Sequence, residues 1–225
     1  MELSKEQLLQ IDNYIFSYGI KYYDVRTEVV DHFANILETK LDKNPDLNLK
    51  REIENIHRNF SDRGFSKLLE EKTKAVQSKF YKNSLKHLIT FFKLPKIIVT
   101  VTLFYVLFLL MNLFDDKENF FVSLYAVLLF IIVRIFYQYR KTKNNQKESF
   151  LVLNKTNNFL QMLNFIFICF NSITNFRVEE SFLNPIHNNI HLGIFVLLLL
   201  FYWSGESVFH QNKKLVKKQY PNVIV

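Results

Sequence analysis

Hydrophobic and polar residues divide the chain into a charged first part and an apolar second part. Residues 1–90 are rich in Lys, Glu, Asp and Asn, whereas Phe, Leu, Ile and Val dominate residues 97–209. A helix needs about 20 mostly apolar residues to cross a bilayer. Three segments come close to this length, at 97–114, 120–137 and 191–209. The pattern therefore predicts membrane spans, with the charges of Arg134 and Glu206 near the ends of two of them.

A fourth span is predicted at 158–176, although this segment carries more polar residues than the other three. Five amide side chains recur at helical spacing and fall on one face of the predicted helix. They form the polar seam: Asn157, Gln161, Asn164, Asn171 and Asn175. Lipid offers these groups no hydrogen bonds, so we expect the seam to face protein. It indicates either contacts between helices or a substrate path.

The first 90 residues show the period of amphipathic helices. Ser4 to Gln7 has the form of a capping box, and Gly19 is placed to end the first helix. Further helices are expected from about Tyr23 to Lys43, around Leu49 to Phe60, and from Phe65 toward the membrane. The predicted fold is all-α, with a small cytoplasmic helical domain at 1–90 and a four-helix transmembrane bundle at 91–210. A basic cytoplasmic tail follows at 211–225.

Positive charge is concentrated beside the apolar segments. The net charge of +8 comes largely from three clusters: Lys79, Lys82, Lys86, Lys93 and Lys96; Arg140, Lys141, Lys143 and Lys147; and Lys213, Lys214, Lys217 and Lys218. Such clusters retain loops in the cytoplasm and bind anionic lipid headgroups. The loops at 115–119 and 177–190 are instead acidic. We therefore expect a bacterial inner-membrane protein with both termini in the cytoplasm, and we do not expect it to bind nucleic acid.

The second predicted helix carries a polar stripe that could bind a cation. Its members are Asp24, Glu28, Asp31, His32 and Asn35. Glu28 and His32 are one turn apart, a spacing at which both can reach one metal ion. A solvated helix face explains the same residues, and we favour that interpretation. His57 is the candidate for a further ligand, but the sequence does not place it nearby.

The residues 23–33 of this helix, after a Leu-Ser-Lys-Glu-Gln start, carry a resemblance. They are similar to the HAAS-type, or permease-prefix, domains, and to uncharacterised membrane proteins of flavobacteria and their relatives. The similarity covers roughly residues 3–80. It implies a cytoplasmic all-helical module for sensing or docking, coupled to the membrane spans. It implies no catalytic residues, and it makes the polar stripe as much a feature of the fold as a site.

Catalytic motifs are missing from the sequence. It has no phosphate-binding glycine loop, no Gly-x-Ser-x-Gly and no His-Glu-x-x-His. His187 and His191 are four residues apart and could bind zinc or copper, but interfacial hydrogen bonding is the favoured interpretation. The single Cys169 excludes an intramolecular disulfide and is expected to be a packed apolar residue.

The same spacing joins Glu206 and His210 at the end of the last span. An acid at this depth needs a partner, and the predicted topology places Arg134 on the same side of the membrane. We expect a pair that locks helices together rather than a proton relay.

These patterns predict a non-enzymatic membrane protein without cofactors. The helical domain would dock a protein partner or sense a state, and the four spans would anchor it or assemble with a second copy or another membrane protein. One alternative is a small transporter or channel subunit that uses the polar seam and Glu206. Another is a membrane metalloenzyme built on His187 and His191. The N-terminal residues Met1 to Glu6 contain no apolar core, so no cleaved signal peptide is expected.

Overall fold

The fold is all-helical over the residues that the structure describes. A computed structural model describes residues 2–60, 64–144, 148–221 and 223, and it describes their side chains except at 139, 142–144, 158–166 and 169. The helices are α1 (Lys5–Ser17), α2 (Tyr23–Leu41), α3 (Leu49–Arg58), α4 (Phe65–Thr90), α5 (Lys96–Leu113), α6 (Lys117–Asn144), α7 (Leu151–Asn175), α8 (Glu179–Leu183) and α9 (Pro185–Gln219). They form two compact units. Unit 1 is Met1–Ser78 with Lys147–Lys155, and unit 2 is Lys79–Gln146 with Thr156–Val225.

Helix α1 begins and ends where the sequence predicts. The backbone N–H of Gln7 donates to Ser4 Oγ over 3.3 Å, and the N–H of Ser4 donates to Gln7 Oε1 over 2.8 Å, which completes the capping box. After the last residue, Ser17, the backbone turns at Gly19 with φ +101°, a left-handed conformation that glycine adopts without steric cost. These two signals fix the length of the helix.

The core of unit 1 is formed by one apolar face from each of its helices. Fourteen buried residues make up the cluster: Leu3, Ile11, Ile15, Ile20, Val25, Val29, Phe33, Ala34, Leu37, Leu41, Ile53, Ile56, Phe65 and Leu151. Leu151 is the first residue of α7, more than 80 positions after the others, and it is only 1% exposed. Burying a leucine side chain stabilises a fold by roughly 1.5–3 kcal/mol. The segment 147–155 is therefore part of the core of unit 1.

Unit 2 contains the helices that can span a membrane. Among the described residues, three helices are long and apolar enough: α5, the Lys117–Gln138 part of α6, and α9. Helix α9 is the most enclosed, with 61% of its apolar window buried against 6% for α5. Its buried residues recur at helical spacing and include Leu192, Phe195, Leu199 and Tyr202. This confirms the three clearest spans as candidates.

Unit 2 differs from the sequence prediction by one additional helix and by the length of its last helix. The short helix α8 lies in the loop between α7 and α9, where no helix was predicted. Helix α9 begins at Pro185 and continues to Gln219, well past the predicted span 191–209. Asn184 caps it by accepting from the backbone N–H groups of Ile186 and His187, at 2.9 and 3.4 Å. Proline at the first helical position fits this start because its missing N–H would have no helical partner.

Candidate functional site

A set of polar contacts in unit 1 joins α2 to the segment that starts α7. Oδ1 of Asp24 accepts a hydrogen bond of 2.9 Å from the backbone N–H of Leu151, and Oδ2 accepts one of 3.3 Å from Val152. The first N–H groups of a helix have no partner within the helix, and a carboxylate there also favours the helix dipole. Asp24 therefore caps α7 from another helix.

Arg26, also on α2, contacts the residues that come just before α7. Its Nε donates to Asp12 Oδ1 over 2.7 Å, and its Nη2 donates to Glu148 Oε1 over 3.0 Å. The Arg26 side chain is 4% exposed, whereas those of Asp12 and Glu148 are 28% and 33% exposed. A buried guanidinium needs such partners because an unpaired buried charge is strongly destabilising. Arg26 thus links its own helix α2 to α1, through Asp12, and to the segment before α7, through Glu148.

Backbone and ring contacts complete the junction. The N–H of Tyr23 donates to the carbonyl of Ser149 over 2.8 Å, and Tyr22 forms an isolated parallel β-bridge with Ser149. Asn154 Nδ2 donates to the hydroxyl of Tyr22 over 3.1 Å. The fully buried ring of Phe150 meets the ring of Tyr23 edge-on at 5.8 Å. We call this set of contacts, centred on Asp24 and Arg26, the junction.

Burial and hydrogen bonding act in opposite directions on the two charges of the junction. Burial raises the pKa of Asp24 above its ordinary value, and the backbone hydrogen bonds from Leu151 and Val152 oppose that rise. Burial lowers the pKa of Arg26, but the hydrogen bonds with Glu148 and Asp12 outweigh it and raise the pKa above its ordinary value. The guanidinium therefore stays charged, and the ionised form of Asp24 is the one that its N–H donors stabilise.

The structure separates the members of the polar stripe on α2. Asp24 belongs to the junction, while both oxygens of Glu28 accept from Lys72 Nζ, at 2.5 and 2.7 Å. The ring of His32 meets the ring of Phe60 edge-on at 5.8 Å, and Asp31 and Asn35 are exposed. Among the described residues, no group of three or more His, Cys, Asp or Glu side chains could hold a metal ion. The stripe is therefore not one solvated face, because its first member caps α7 while others pair with Lys72 or are exposed.

His57 also has a structural environment in unit 1. Its ring stacks on Phe65 at 4.3 Å, and its Nδ1 lies 2.9 Å from the hydroxyl of Tyr14. Burial lowers the pKa of His57 below its ordinary value of 6.5. Burial therefore favours the neutral form of the ring at this position.

The charges near the end of α9 are paired within unit 2. Arg134 Nη2 donates to Glu206 Oε1 over 2.5 Å, as the sequence analysis predicts. The same Glu206 oxygen lies 3.7 Å from His210 Nε2. The Glu206 side chain is 10% exposed and that of Arg134 is 43% exposed. An acid in an apolar segment is costly without such a partner, so this pair joins α6 to α9.

At the other end of α9, Arg177 organises a cluster that sequence reasoning missed. Arg177 Nη1 lies 2.8 Å from His191 Nδ1, and Arg177 Nη2 donates to Asn188 Oδ1 over 2.9 Å. His191 Nε2 lies 3.2 Å from Thr174 Oγ1. Both ring nitrogens of His191 thus have partners, and a cation already occupies one side, which disfavours a metal ion bound by His191 and His187. His187 Nδ1 is 3.4 Å from Ser181 Oγ.

The polar seam of α7 is only partly described. Gln161, Asn164 and Cys169 have side chains outside the described residues. Asn157 is buried, Asn171 is half-buried and Asn175 is exposed, with Asn175 Nδ2 donating to Asn171 Oδ1 over 3.3 Å. The described part of the seam therefore runs from a buried end to an exposed end. Its use for contacts between helices or for transport stays a prediction.

Arg26 gave a signal in the sequence that was overlooked. It precedes Val30, Phe33 and Leu37 at intervals of four, three and four residues, so it occupies a position where the helical period calls for an apolar residue. An arginine there indicates a buried ion pair. Its partners Asp12 and Glu148 gave no such signal, because they lie 14 and 122 positions away in the sequence and only the tertiary structure brings them to Arg26.

Comparisons of the chain with protein-family models, with curated proteins and with solved structures find no match. The resemblance to HAAS-type domains stays a prediction. Over the described part of the chain, the fold is all-helical and includes three helices that can span a membrane.

Proposed function

We propose that the chain is a non-enzymatic membrane protein whose cytoplasmic helical domain docks a protein partner or senses a state, and passes that information to its membrane helices. The observation that carries this proposal is the junction. Asp24 binds the first residues of α7, and Arg26 binds Glu148, three residues before that helix begins. Helix α7 then continues from unit 1 into unit 2. A change in α2 would therefore act directly on the start of a helix that enters the membrane unit.

We further propose that α7 is a fourth span. Its residues 156–175 belong to unit 2, and at about 1.5 Å per residue they extend about 30 Å, the thickness of the hydrocarbon layer. With four spans, both termini lie on one side. The basic clusters near 140, 79–96 and 213–218 support the cytoplasmic side of a bacterial inner membrane.

The junction is consistent with this topology. Residues 148–155 come between the end of α6 at Asn144 and the rest of α7, and they belong to unit 1, whose core includes Leu151. This part of the α6–α7 connection and the helical domain therefore share one side of the membrane. Single cysteines at Asn44 and Glu180, in a Cys169→Ser background, test this in intact cells. A membrane-impermeant maleimide should label position 180 from outside and position 44 only after the cells are opened. Labelling of position 44 in intact cells would overturn the topology.

The surface of unit 1 supports a docking role. Its exposed large apolar side chains, among the described residues, are Leu9, Phe16 and Tyr18, all in or directly after α1. Neighbouring exposed apolar residues are typical of protein contacts. Co-purification of the full chain from crosslinked native membranes, followed by mass spectrometry, tests the proposal. A specific partner should be recovered with the wild type and with Gln10→Asn, and lost with Leu9→Asn. Recovery of only the proteins that an unrelated membrane protein captures would contradict it.

The alternative of a small transporter or channel subunit would use the seam of α7 and Glu206. The pairing of Glu206 with Arg134 supports a role in holding α6 and α9 together instead. A lipid bilayer with anionic headgroups, and either a second copy or another membrane protein, are the partners that we propose.

A further inference from the structure

The second half of α4 and the turn after it, residues 79–92, present three different surfaces. All of these residues belong to unit 2. One surface is buried against the protein, one is apolar and exposed, and one is basic. A helix that was only a linker in water would not need an exposed apolar surface, so each of the three requires its own explanation.

The buried surface fixes the depth of this segment. Phe80 is 2% exposed and Ser84 is fully buried. The hydroxyl of Ser204 donates to the backbone carbonyl of Ser84, and His87 Nε2 lies 3.3 Å from Ser207 Oγ. Ser204 directly follows the apolar run of α9, which ends at residue 203 with a tryptophan, and Ser207 lies about one turn further on. Tryptophan at the end of a span marks the boundary between hydrocarbon and headgroups. Residues 84–87 therefore lie at that boundary.

The exposed apolar surface is a continuous strip. Tyr81, Leu85 and Ile89 follow one another at intervals of four residues, so they share one face of α4. They are 45%, 53% and 47% exposed, and Phe92 extends the strip with 49%. This strip faces away from the protein at the depth of the membrane boundary.

The basic surface lies beside the strip. Lys79, Lys82 and Lys86 are exposed and recur at intervals of three and four residues. Lys93 and Lys96 continue the charge up to the start of α5, and Lys96 Nζ donates to Thr90 Oγ1 over 3.2 Å. Apolar residues bordered by lysines at the membrane boundary are the composition of helices that lie in the interface and bind anionic lipids.

We propose that the second half of α4, residues 79–90, forms an interfacial amphipathic helix on the cytoplasmic leaflet, with Tyr81, Leu85 and Ile89 in the boundary between headgroups and acyl chains. Lys79, Lys82 and Lys86 bind the phosphates of anionic lipids. The charge complementarity and the continuity with the span α5 select a lipid surface over a protein as the occupant of this strip. The choice of the cytoplasmic leaflet rests on the proposed topology, whereas the interfacial placement requires only that α5 and α9 span the membrane. The placement therefore stands or falls independently of the docking function.

Spin-label scanning of the full chain tests this placement. Single cysteines at 81, 82, 85, 86 and 89, in a Cys169→Ser background, are labelled with a nitroxide. The protein is then reconstituted in vesicles of phosphatidylcholine with phosphatidylglycerol. Labels at 81, 85 and 89 should collide readily with oxygen, and their collisions with a water-soluble nickel complex should be at least about threefold fewer than those at 82 and 86. The labels at 82 and 86 serve as matched controls on the same helix.

Three results would overturn the proposal. Equal nickel accessibility at 85 and 82 would place the strip in water. Protection of position 85 from both oxygen and nickel would indicate that a protein covers it. In the third test, Lys79, Lys82 and Lys86 are changed to Gln, or phosphatidylglycerol is omitted, and either change should raise the nickel accessibility at 85. An unchanged value in both cases would show that anionic lipids do not hold the helix.

Discussion

Oδ1 of Asp24 accepts a hydrogen bond of 2.9 Å from the backbone N–H of Leu151, a residue 127 positions later in the chain. Helix α7 therefore receives its N-terminal cap from α2 rather than from its own sequence. Because Leu151 is also part of the core of unit 1, the polar cap and the apolar contact hold the same residue. The start of α7 is determined by the helical domain.

Replacing Asp24 with Ala should loosen this start. Loss of a capping carboxylate costs about 0.5–2 kcal/mol, and it removes the hydrogen bonds that Asp24 accepts from the N–H groups of Leu151 and Val152. Hydrogen–deuterium exchange of peptides that cover residues 150–155 should become faster, while peptides from α9 keep their rates. Asp31→Ala removes an exposed acid from the same helix and is the matched control. Equal exchange in the two variants would contradict the capping role.

Replacing Arg26 should destabilise unit 1. Arg26→Met leaves Asp12 and Glu148 without their cation, and since both are about a third exposed, we expect a loss of about 2–3 kcal/mol rather than the 3–5 kcal/mol of a fully buried pair. Arg26→Lys should recover less than half of this loss, because an ammonium lacks the planar fork that reaches both carboxylates. Pulse proteolysis in urea measures the midpoint of unfolding of each variant. Full recovery of that midpoint by Arg26→Lys would show that bridging both carboxylates does not require a guanidinium.

The stability of unit 1 should fall in mild acid because of His57. Burial lowers the folded-state pKa of His57 below 6.5, so the stability that the neutral ring contributes is fully present above pH 6.5 and is lost as the pH falls toward the lowered value. His57→Phe keeps a ring against Phe65 but does not titrate, so its proteolysis midpoint should depend less on pH between 7.5 and 5.5. His32→Phe, an exposed position, should keep the wild-type dependence. The same dependence in all three proteins would exclude His57 as its source.

The Arg134–Glu206 pair should behave as a structural unit. Glu206→Gln or Arg134→Gln alone should each destabilise the membrane unit by about 1–2 kcal/mol, and the double variant should recover at least half of the summed loss. Thermal unfolding in detergent, followed by the fluorescence of the single Trp203, provides the measurement. Glu180→Gln, an exposed acid on α8, is the control. Unchanged stability of Glu206→Gln together with altered ion flux would favour the transporter alternative.

The sequence predicts the helices and the intramembrane pair for different reasons. Local signals suffice for α1, whose capping box and Gly19 act within a few residues. The Arg134–Glu206 contact follows from topology, since charges at the same end of neighbouring spans have few other partners.

The junction could not be predicted in the same way. Asp24 has the same residue type and helical spacing as its neighbours in the polar stripe, and only the tertiary structure distinguishes it from the exposed Asp31. The cluster around Arg177 could not be predicted either. Its contacts depend on α8, a helix of five residues that is too short to give a periodic pattern.

Disulfide formation between Tyr22→Cys and Ser149→Cys tests the central claim most directly, namely that the segment leading into α7 belongs to the helical domain. The two residues form a parallel β-bridge, which places their Cα atoms within the range of about 4.4–6.8 Å that a disulfide spans. In a Cys169→Ser background and in native membranes, mild oxidation should join most of the protein, as measured by mass spectrometry. A control pair, Asp31→Cys with Ser149→Cys, should remain reduced. Equal oxidation of the two pairs, or of neither, would contradict the coupling of the helical domain to α7.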